Sequence, residues 1–276
     1  MLFSKIFPVF SLFLLLFSCT TQTNKTNKKP EASVVQVDSI SIKEPAIIPT
    51  GLSFSSFKYK DENCDIELPE DFNEGWCNSR SVSGLTVSLN DAAIAQKING
   101  LICKQITGKI GNKAAIKRFV LEIKNLMNQD GEVEYMQEEY ICSVIDSSNT
   151  FLSLGVVSDF YSLGAAHGVQ YFQALNFDLK TGAFISLSDL FENGSRNGLK
   201  ALAKRKFIAQ NGNEGWWFTT GEQAFELAEV FSITNKGITF HYQPYEIGPY
   251  VAGAPEIVLS TTDIAKLLKD NPYLKP

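Results

Sequence analysis

The spacing of hydrophobic and polar residues changes along the chain, and it predicts strands over most of the folded part. Five short runs alternate apolar and polar residues at every second position: SFKYK, CDIEL, VSGLTVSL, VFSIT and ITFHY. Two longer β-rich runs cover 133–145 and 150–161, and the DSSN between them is typical of a hairpin. Further strands are expected at 170–179, ahead of an LKTG turn, and at 256–259.

Other segments repeat their apolar residues with helical spacing. Asn90 is placed to cap a helix over 91–107. The helix at 113–129 has the clearest pattern, with apolar residues on one face and basic residues opposite, an arrangement that is usually plain solvated surface. Ser195 begins a third helix, and a short one follows Thr261. Because strands dominate without regular β-α-β alternation, we predict an α+β fold of antiparallel sheets with inserted helices, in two intimate subdomains.

The N-terminus has the features of an export signal. Lys5 precedes an apolar run at 6–17 that is too short to span a bilayer. Cys19 then follows Leu16-Phe17-Ser18, which resembles a bacterial lipobox, in which the cysteine is acylated and becomes the first residue. The alternative is a plain signal peptide that is cut elsewhere.

These features predict the domain organisation and the location. The segments are a lipoprotein signal peptide at 1–18, a disordered tether at 19–50, an N-terminal α+β subdomain at 51–165 and a C-terminal one at 166–276. We expect a lipid-anchored protein of the bacterial cell envelope, at the outer membrane and facing the periplasm or the surface.

The charge of the chain and the motifs that it lacks argue against several classes of function. The chain of 276 residues has 25 basic and 30 acidic residues and a formal net charge of −5. This negative net charge does not favour binding to the anionic backbone of nucleic acid. For the same reason, contact with a membrane is expected through the lipid anchor only. The sequence contains no P-loop, dinucleotide fingerprint, G-x-S-x-G elbow or H-E-x-x-H motif, and it has only two histidines. We therefore expect no cofactor and no metal site.

Four cysteines follow Cys19, and an even number in an exported protein suggests two disulfides. They are Cys64, Cys77, Cys103 and Cys142. Three pairings are possible; we favour Cys64–Cys77, which closes a short polar loop, together with Cys103–Cys142. Buried free thiols are the alternative.

Two segments stand out as candidate contact sites. His167 lies among small residues in GAAHG, where it could act as a base or touch a ligand, or could simply satisfy the backbone of a turn. The loop at 242–253 is rich in proline and tyrosine, which suits recognition because a rigid aromatic loop loses little entropy on binding. Its candidate residues are Tyr242, Tyr245, Glu246, Pro249 and Tyr250. The alternative is a structural bend whose tyrosines fill the core.

Several motifs occur in an order that resembles one known family. GAAHG, LNFDLKTG, LSDLF and GITFHYQPYEIGPYVAGAPEIVLS are similar to the domain of unknown function 3298. That family includes the extracellular region of the anti-sigma factor RsiV and the non-catalytic N-terminal part of the deacetylase PdaC. The resemblance spans about residues 53–270, and it implies an α+β envelope domain that, in RsiV, binds lysozyme. This chain has Ala165 where the family usually has a second glycine.

The favoured function is therefore a lipid-anchored, non-catalytic binding module of the cell envelope that recognises a lysozyme-like muramidase or peptidoglycan. One alternative is an envelope hydrolase that uses His167 as general base, which needs a nucleophile within about 3 Å of the imidazole. Another is a purely structural envelope lipoprotein.

Overall fold

The computed structural model describes residues 51–72, 75–125, 134–212, 217 and 225–275. The predicted signal peptide, Cys19 and the whole predicted tether lie outside these residues. The strands are β1 Ser53–Asn63, β2 Asn78–Ser88, β3 Met136–Ser147, β4 Phe151–Ser162, β5 Val169–Asp178, β6 Val230–Thr234, β7 Gly237–His241 and β8 Glu256–Ser260. The α-helices are α1 Ala92–Thr107, α2 Lys113–Leu121, α3 Leu187–Leu190, α4 Arg196–Asn211 and α5 Thr261–Ile264.

Strands β1 to β5 form one sheet in chain order, and every pair is antiparallel except β2 with β3. The parallel pair is short, running from Ser79–Gln137 to Ser83–Ile141. Parallel neighbours need a long crossover, and here α1 and α2 supply it. The α+β class with mainly antiparallel sheets is thus confirmed.

Helices α1 and α2 share a hydrophobic core with the five-stranded sheet. The Asp91 carboxylate caps α1 by accepting from the backbone N–H groups of Ala93 and Ile94, and Gly108 ends the helix with φ 76°. The Asn112 side chain caps α2 in the same way. The core between helices and sheet includes Val82, Ile98, Ile102, Ile106, Ile116, Val120, Leu152, Leu154 and Phe177.

A buried ion pair fixes the parallel strands beneath these helices. Arg80 on β2 donates from Nε and Nη2 to the two carboxylate oxygens of Glu138 on β3, both at 2.7 Å. Its Nη1 donates to the carbonyl of Phe119 in α2 at 2.7 Å, and the Tyr140 hydroxyl donates to Glu138 at 3.0 Å. The pair therefore joins β2, β3 and α2 at one point.

Strands β6, β7 and β8 form a second, antiparallel sheet with its own core against α4 and α5. The Asn176 side chain on β5 joins the two sheets: its Nδ2 donates to the Phe231 carbonyl at 2.7 Å, and its Oδ1 accepts from the Ile233 N–H at 3.0 Å. The Asn176 amide thus makes the two hydrogen bonds that the backbone of a neighbouring strand would otherwise make. The second core includes Leu199, Phe207, Trp217, Phe225, Phe240, Ile257 and Leu259.

Two local predictions need correction here, and one short helix was not predicted. CDIEL is not a strand, because Cys64 and Cys77 are joined by a disulfide across an irregular loop. Helix α2 ends at Leu121 and continues as a 3₁₀ turn over Glu122–Asn125, so it is shorter than predicted, and the rest of the predicted helix lies outside the described residues. The short helix α3 was not predicted. The subdomain boundary at 165/166 stays a prediction; β5, which follows it, pairs with β4.

The cysteines were predicted only in part. The Cys64–Cys77 disulfide is present, whereas Cys103 and Cys142 are buried free thiols, which corrects the favoured second pairing. Cys103 is buried because α1 is covered on two sides, by the sheet and by the α1–α2 connection, where Gly111 lies against the Cys103 sulfur. Burial raises the pKa of the Cys142 thiol to about 12, so this thiol stays protonated and unreactive at neutral pH.

Candidate binding surface

The segment 242–253 begins with a tight turn that exposes a tyrosine. The Glu246 N–H donates to the Gln243 carbonyl at 3.1 Å, which closes the turn around Pro244 and Tyr245. Tyr245 has φ 66°, a left-handed conformation that few residues other than glycine adopt. Proline followed by a residue with positive φ is typical of a type II turn. Tyr245 is 54% exposed, so the strained residue carries its ring into solvent.

The rest of the molecule holds this loop from below. The Gln243 side chain accepts from the Phe172 N–H at 3.0 Å and donates to the Phe172 carbonyl at 2.8 Å. Gly248 packs directly against the ring of the buried Trp217, where even a methyl group would clash. The loop is therefore fixed to β5 and to the second core.

Three rings from two distant segments form a continuous row, which we call the aromatic ladder: His167, Tyr250 and Tyr245. The His167 and Tyr250 rings stack with centroids 3.9 Å apart and planes 16° apart, and Tyr245 lies 5.5 Å from Tyr250. The Tyr250 hydroxyl donates to the Gly168 carbonyl at 2.8 Å, and His167 Nδ1 contacts the same oxygen at 2.9 Å. The ladder is thus anchored at the turn between β4 and β5.

Carboxylates lie close to the aromatic ladder. Glu246 accepts from the Gln243 N–H at 2.7 Å, and its pKa is raised by desolvation, with a further contribution from the Glu229 charge. Asp159 lies against Gly168, and desolvation raises its pKa also, with a smaller contribution from Glu139 opposite it on β3. The surroundings of the ladder are therefore acidic.

The structure brings most of the predicted contact residues together. His167, Tyr245 and Tyr250 form the ladder, Glu246 belongs to its turn, and Pro249 directly precedes Tyr250. Tyr242 is the exception, because it is 2% exposed and donates from its hydroxyl to the Glu226 carbonyl at 2.7 Å. It fills the core beneath the loop and cannot touch a partner directly.

His167 has no catalytic partner within the described residues. Its Nδ1 is hydrogen-bonded to a backbone carbonyl, and the ring stacks on Tyr250, so no serine, cysteine or carboxylate side chain there forms a hydrogen bond with it. A general base must lie within hydrogen-bonding reach of the proton that it takes up. The geometry of His167 suits a contact residue better than a base.

A second histidine network, around His241, was not predicted from the sequence. His241 Nε2 lies 2.8 Å from the Ser232 hydroxyl, and its Nδ1 lies 2.8 Å from the Glu256 carboxylate. These distances match a Ser-His-Glu triad, but Ser232 is only 1% exposed and lies on the buried side of β6. A substrate cannot reach it, so the network links β6, β7 and β8. Only the fold shows this, because the three residues are spread over three strands.

Two further properties concern the described residues only. No group of three or more His, Cys, Asp or Glu side chains is arranged there to hold a metal ion. Within the same ranges, no helix combines the length and the apolar character needed to cross a membrane.

Comparison with known proteins agrees with this fold. Residues 188–262 match a family model described as "Protein of unknown function (DUF3298)". This range contains the 242–253 loop but not His167. No curated protein matches the chain.

Two solved structures are similar over most of the chain. A crystal structure of a DUF3298 family member from Bacteroides fragilis is 20% identical, with a TM-score of 0.66; the match covers 81% of this chain and 96% of that one. A DUF3298 family protein from Pseudomonas aeruginosa PAO1 is 15% identical, with a TM-score of 0.59, covering 80% and 95%. At such identities the likeness establishes the fold.

Proposed function

We propose that this chain is a non-catalytic binding protein of the bacterial cell envelope, and that it contacts its partner through the aromatic ladder. The observation that carries the proposal is the strained, exposed Tyr245. A tyrosine with positive φ costs stability, and such strain persists mainly where function uses it. The ladder is also fixed in advance by the Tyr250–Gly168 hydrogen bond, so that little entropy is lost when it binds.

A basic protein of the lysozyme-like muramidase class fits this surface best. Glu246 and Asp159 lie beside the ladder, and the Glu229 charge acts on Glu246, so that these carboxylates attract a cationic partner. Tyrosine rings are favoured anchors at protein interfaces. Peptidoglycan is the second candidate, because the exposed face of Tyr245 could stack on a sugar ring. The resemblance to the RsiV extracellular region supports the first candidate without deciding between them.

The envelope location forms part of the proposal and rests on Cys19 and the apolar run before it. The test is metabolic labelling with a palmitate analogue in a bacterial host that processes lipoproteins. We expect labelling of the natural chain and none of the Cys19→Ser variant. Label that persists in the variant would contradict acylation at this residue.

Binding is tested with the full chain, using immobilised lysozyme and, separately, purified peptidoglycan. Tyr245→Ala should weaken retention about tenfold or more, as is usual for a central aromatic anchor. Phe184→Ala is the matched control, because Phe184 is similarly exposed but lies far from the ladder. It pairs with Phe177, which is nine residues along β5 from Gly168, a distance of about 30 Å.

The two alternatives predict different results. If neither lysozyme nor peptidoglycan is retained by the natural chain, the proposed partners are wrong. If both variants bind equally well, the ladder is not the contact surface. A hydrolase would instead turn over peptidoglycan and lose that activity in His167→Ala, whereas a purely structural lipoprotein would show neither binding nor turnover.

A further inference from the structure

Positive charge is concentrated in one part of the chain, although the net charge of the whole chain is negative. Residues 91–125, which contain α1 and α2, hold seven basic and two acidic residues, a net charge of +5 in a chain whose net charge is −5. The basic residues are Lys97, Lys104, Lys109, Lys113, Lys117, Arg118 and Lys124. We call α1, α2 and the connection between them the helical layer. The net charge of −5 therefore does not describe this part of the surface.

The geometry turns most of these charges outward. Helices α1 and α2 cover one face of the five-stranded sheet with their buried residues, so their exposed residues point away from it. Lys113, Lys117 and Leu121 follow one another at intervals of four along α2, which places them in one exposed row, with Arg118 beside it. Within the described chain, Lys104, Lys109, Lys113, Lys117 and Arg118 form no ion pair.

Two aliphatic side chains project from the same layer. Ile110, at the turn between the helices and next to Lys109, is 72% exposed. Leu121, at the end of the lysine row on α2, is 48% exposed. Exposed aliphatic residues that alternate with basic residues on a helical surface are typical of segments that lie on an anionic lipid interface.

We propose that the helical layer is a docking surface for an anionic lipid bilayer. The lysines and Arg118 would meet the phosphate headgroups, and Ile110 and Leu121 would enter the boundary between headgroups and acyl chains. Nucleic acid also carries phosphates, but its backbone offers nothing to the two aliphatic side chains. An acidic protein would satisfy the charges while leaving Ile110, on its loop, without a defined pocket.

The first described residue lies beside the start of the helical layer. Gly51, the first described residue, lies against the Asn90 side chain directly before α1. The docking proposal rests on charge and exposure, and it does not require Cys19 to be acylated.

The test is co-sedimentation of the full chain with vesicles of phosphatidylcholine alone or of phosphatidylcholine mixed with phosphatidylglycerol. Because every variant keeps residues 1–50, their contribution is the same throughout. The natural chain should prefer the anionic vesicles, and the preference should fall as salt is raised. The triple variant K113E/K117E/R118E should lose about tenfold or more of its affinity for them.

Two matched controls isolate the helical layer. Arg205→Glu, Lys236→Glu and Lys266→Glu together change the total charge equally at exposed positions in the C-terminal half, and they should leave binding within about twofold. Ile110→Ser should weaken binding, whereas Val258→Ser, an exposed aliphatic residue on β8, should not. Thermal unfolding of each variant shows whether it is folded.

Three outcomes would overturn the proposal. Equal loss in the two triple variants would mean that total charge, and not this layer, determines binding. Equal binding of the natural chain to neutral and anionic vesicles would mean that the basic side chains contribute nothing to binding. Retention by DNA or by an acidic protein, with none by vesicles, would assign the layer to a different partner.

Discussion

Each half of the molecule contains a carboxylate that bonds across strands, but the two differ in exposure. Glu138 lies under the helical layer, where its side chain is 5% exposed and is held by two hydrogen bonds from Arg80. Glu256, in the three-stranded sheet, accepts from His241 while its side chain is 58% exposed. Similar hydrogen-bond lengths therefore do not imply similar contributions to stability, because solvent screens the charge of Glu256 and not that of Glu138.

The largest expected effect comes from removing the buried charge. Glu138→Gln leaves the Arg80 guanidinium buried without a counter-charge, which should lower the free energy of unfolding by about 3–5 kcal/mol. The matched control is Glu139→Gln, the next residue on β3, which points to the exposed side and should change stability by less than about 0.5 kcal/mol. Denaturant unfolding measures both; equal effects would contradict the assigned role of the ion pair.

A smaller effect is expected at the aromatic ladder, where the backbone is strained. Tyr245→Gly and Tyr245→Ala both remove the ring and should weaken partner binding alike. Only glycine relieves the positive φ, so the glycine variant should be more stable than the alanine variant by about 1 kcal/mol. Thermal unfolding compares them. If alanine proves as stable as glycine, the strain on which the binding proposal rests is absent.

The smallest effect is a dependence on pH at Glu256. The hydrogen bond from His241 lowers the pKa of Glu256 below its ordinary value of 4.5. Its contribution to stability is therefore present above pH 4.5 and is lost as the pH falls through the lower pKa of the folded state. Because the side chain is mostly exposed, we expect less than about 1 kcal/mol.

The measurement is the difference in unfolding free energy between the natural chain and Glu256→Gln as a function of pH. The difference should be constant near neutrality and shrink on acidification. The corresponding difference for Glu192→Gln, at an exposed position in the same half of the molecule, serves as the reference. A difference for Glu256→Gln that grows as the pH falls would reverse the assigned sign.

The sequence predicts the regular elements well and their arrangement poorly. The 3.6-residue period locates α1 within one residue, although the cap is Asp91 and not Asn90, because either side chain can accept from the first turn. The hairpin of β3 and β4 follows from local pattern alone. The parallel pairing of β2 with β3 does not, because it joins residues such as Arg80 and Glu138 that lie 58 positions apart.

The same limit applies to the candidate sites. Tyr245, Glu246 and Tyr250 could be predicted as one loop, because proline and tyrosine are concentrated there. Stacking of His167 on Tyr250 could not, since their segments meet only after β5 has brought them together. The free, buried thiol of Cys103 was only the alternative prediction for a similar reason: a helical wheel shows one buried face, while α1 is covered on two.

Gln243 has a consequence for how this molecule meets other copies of itself. Its amide occupies both the donor and the acceptor that Phe172 would otherwise present at the outer edge of β5. Unpaired edges of this kind recruit strands from neighbouring chains and start aggregation. Another copy could add a strand at Phe172 only by displacing Gln243, and so by disturbing the turn that carries Tyr245. One side chain therefore links resistance to aggregation to the shape of the aromatic ladder.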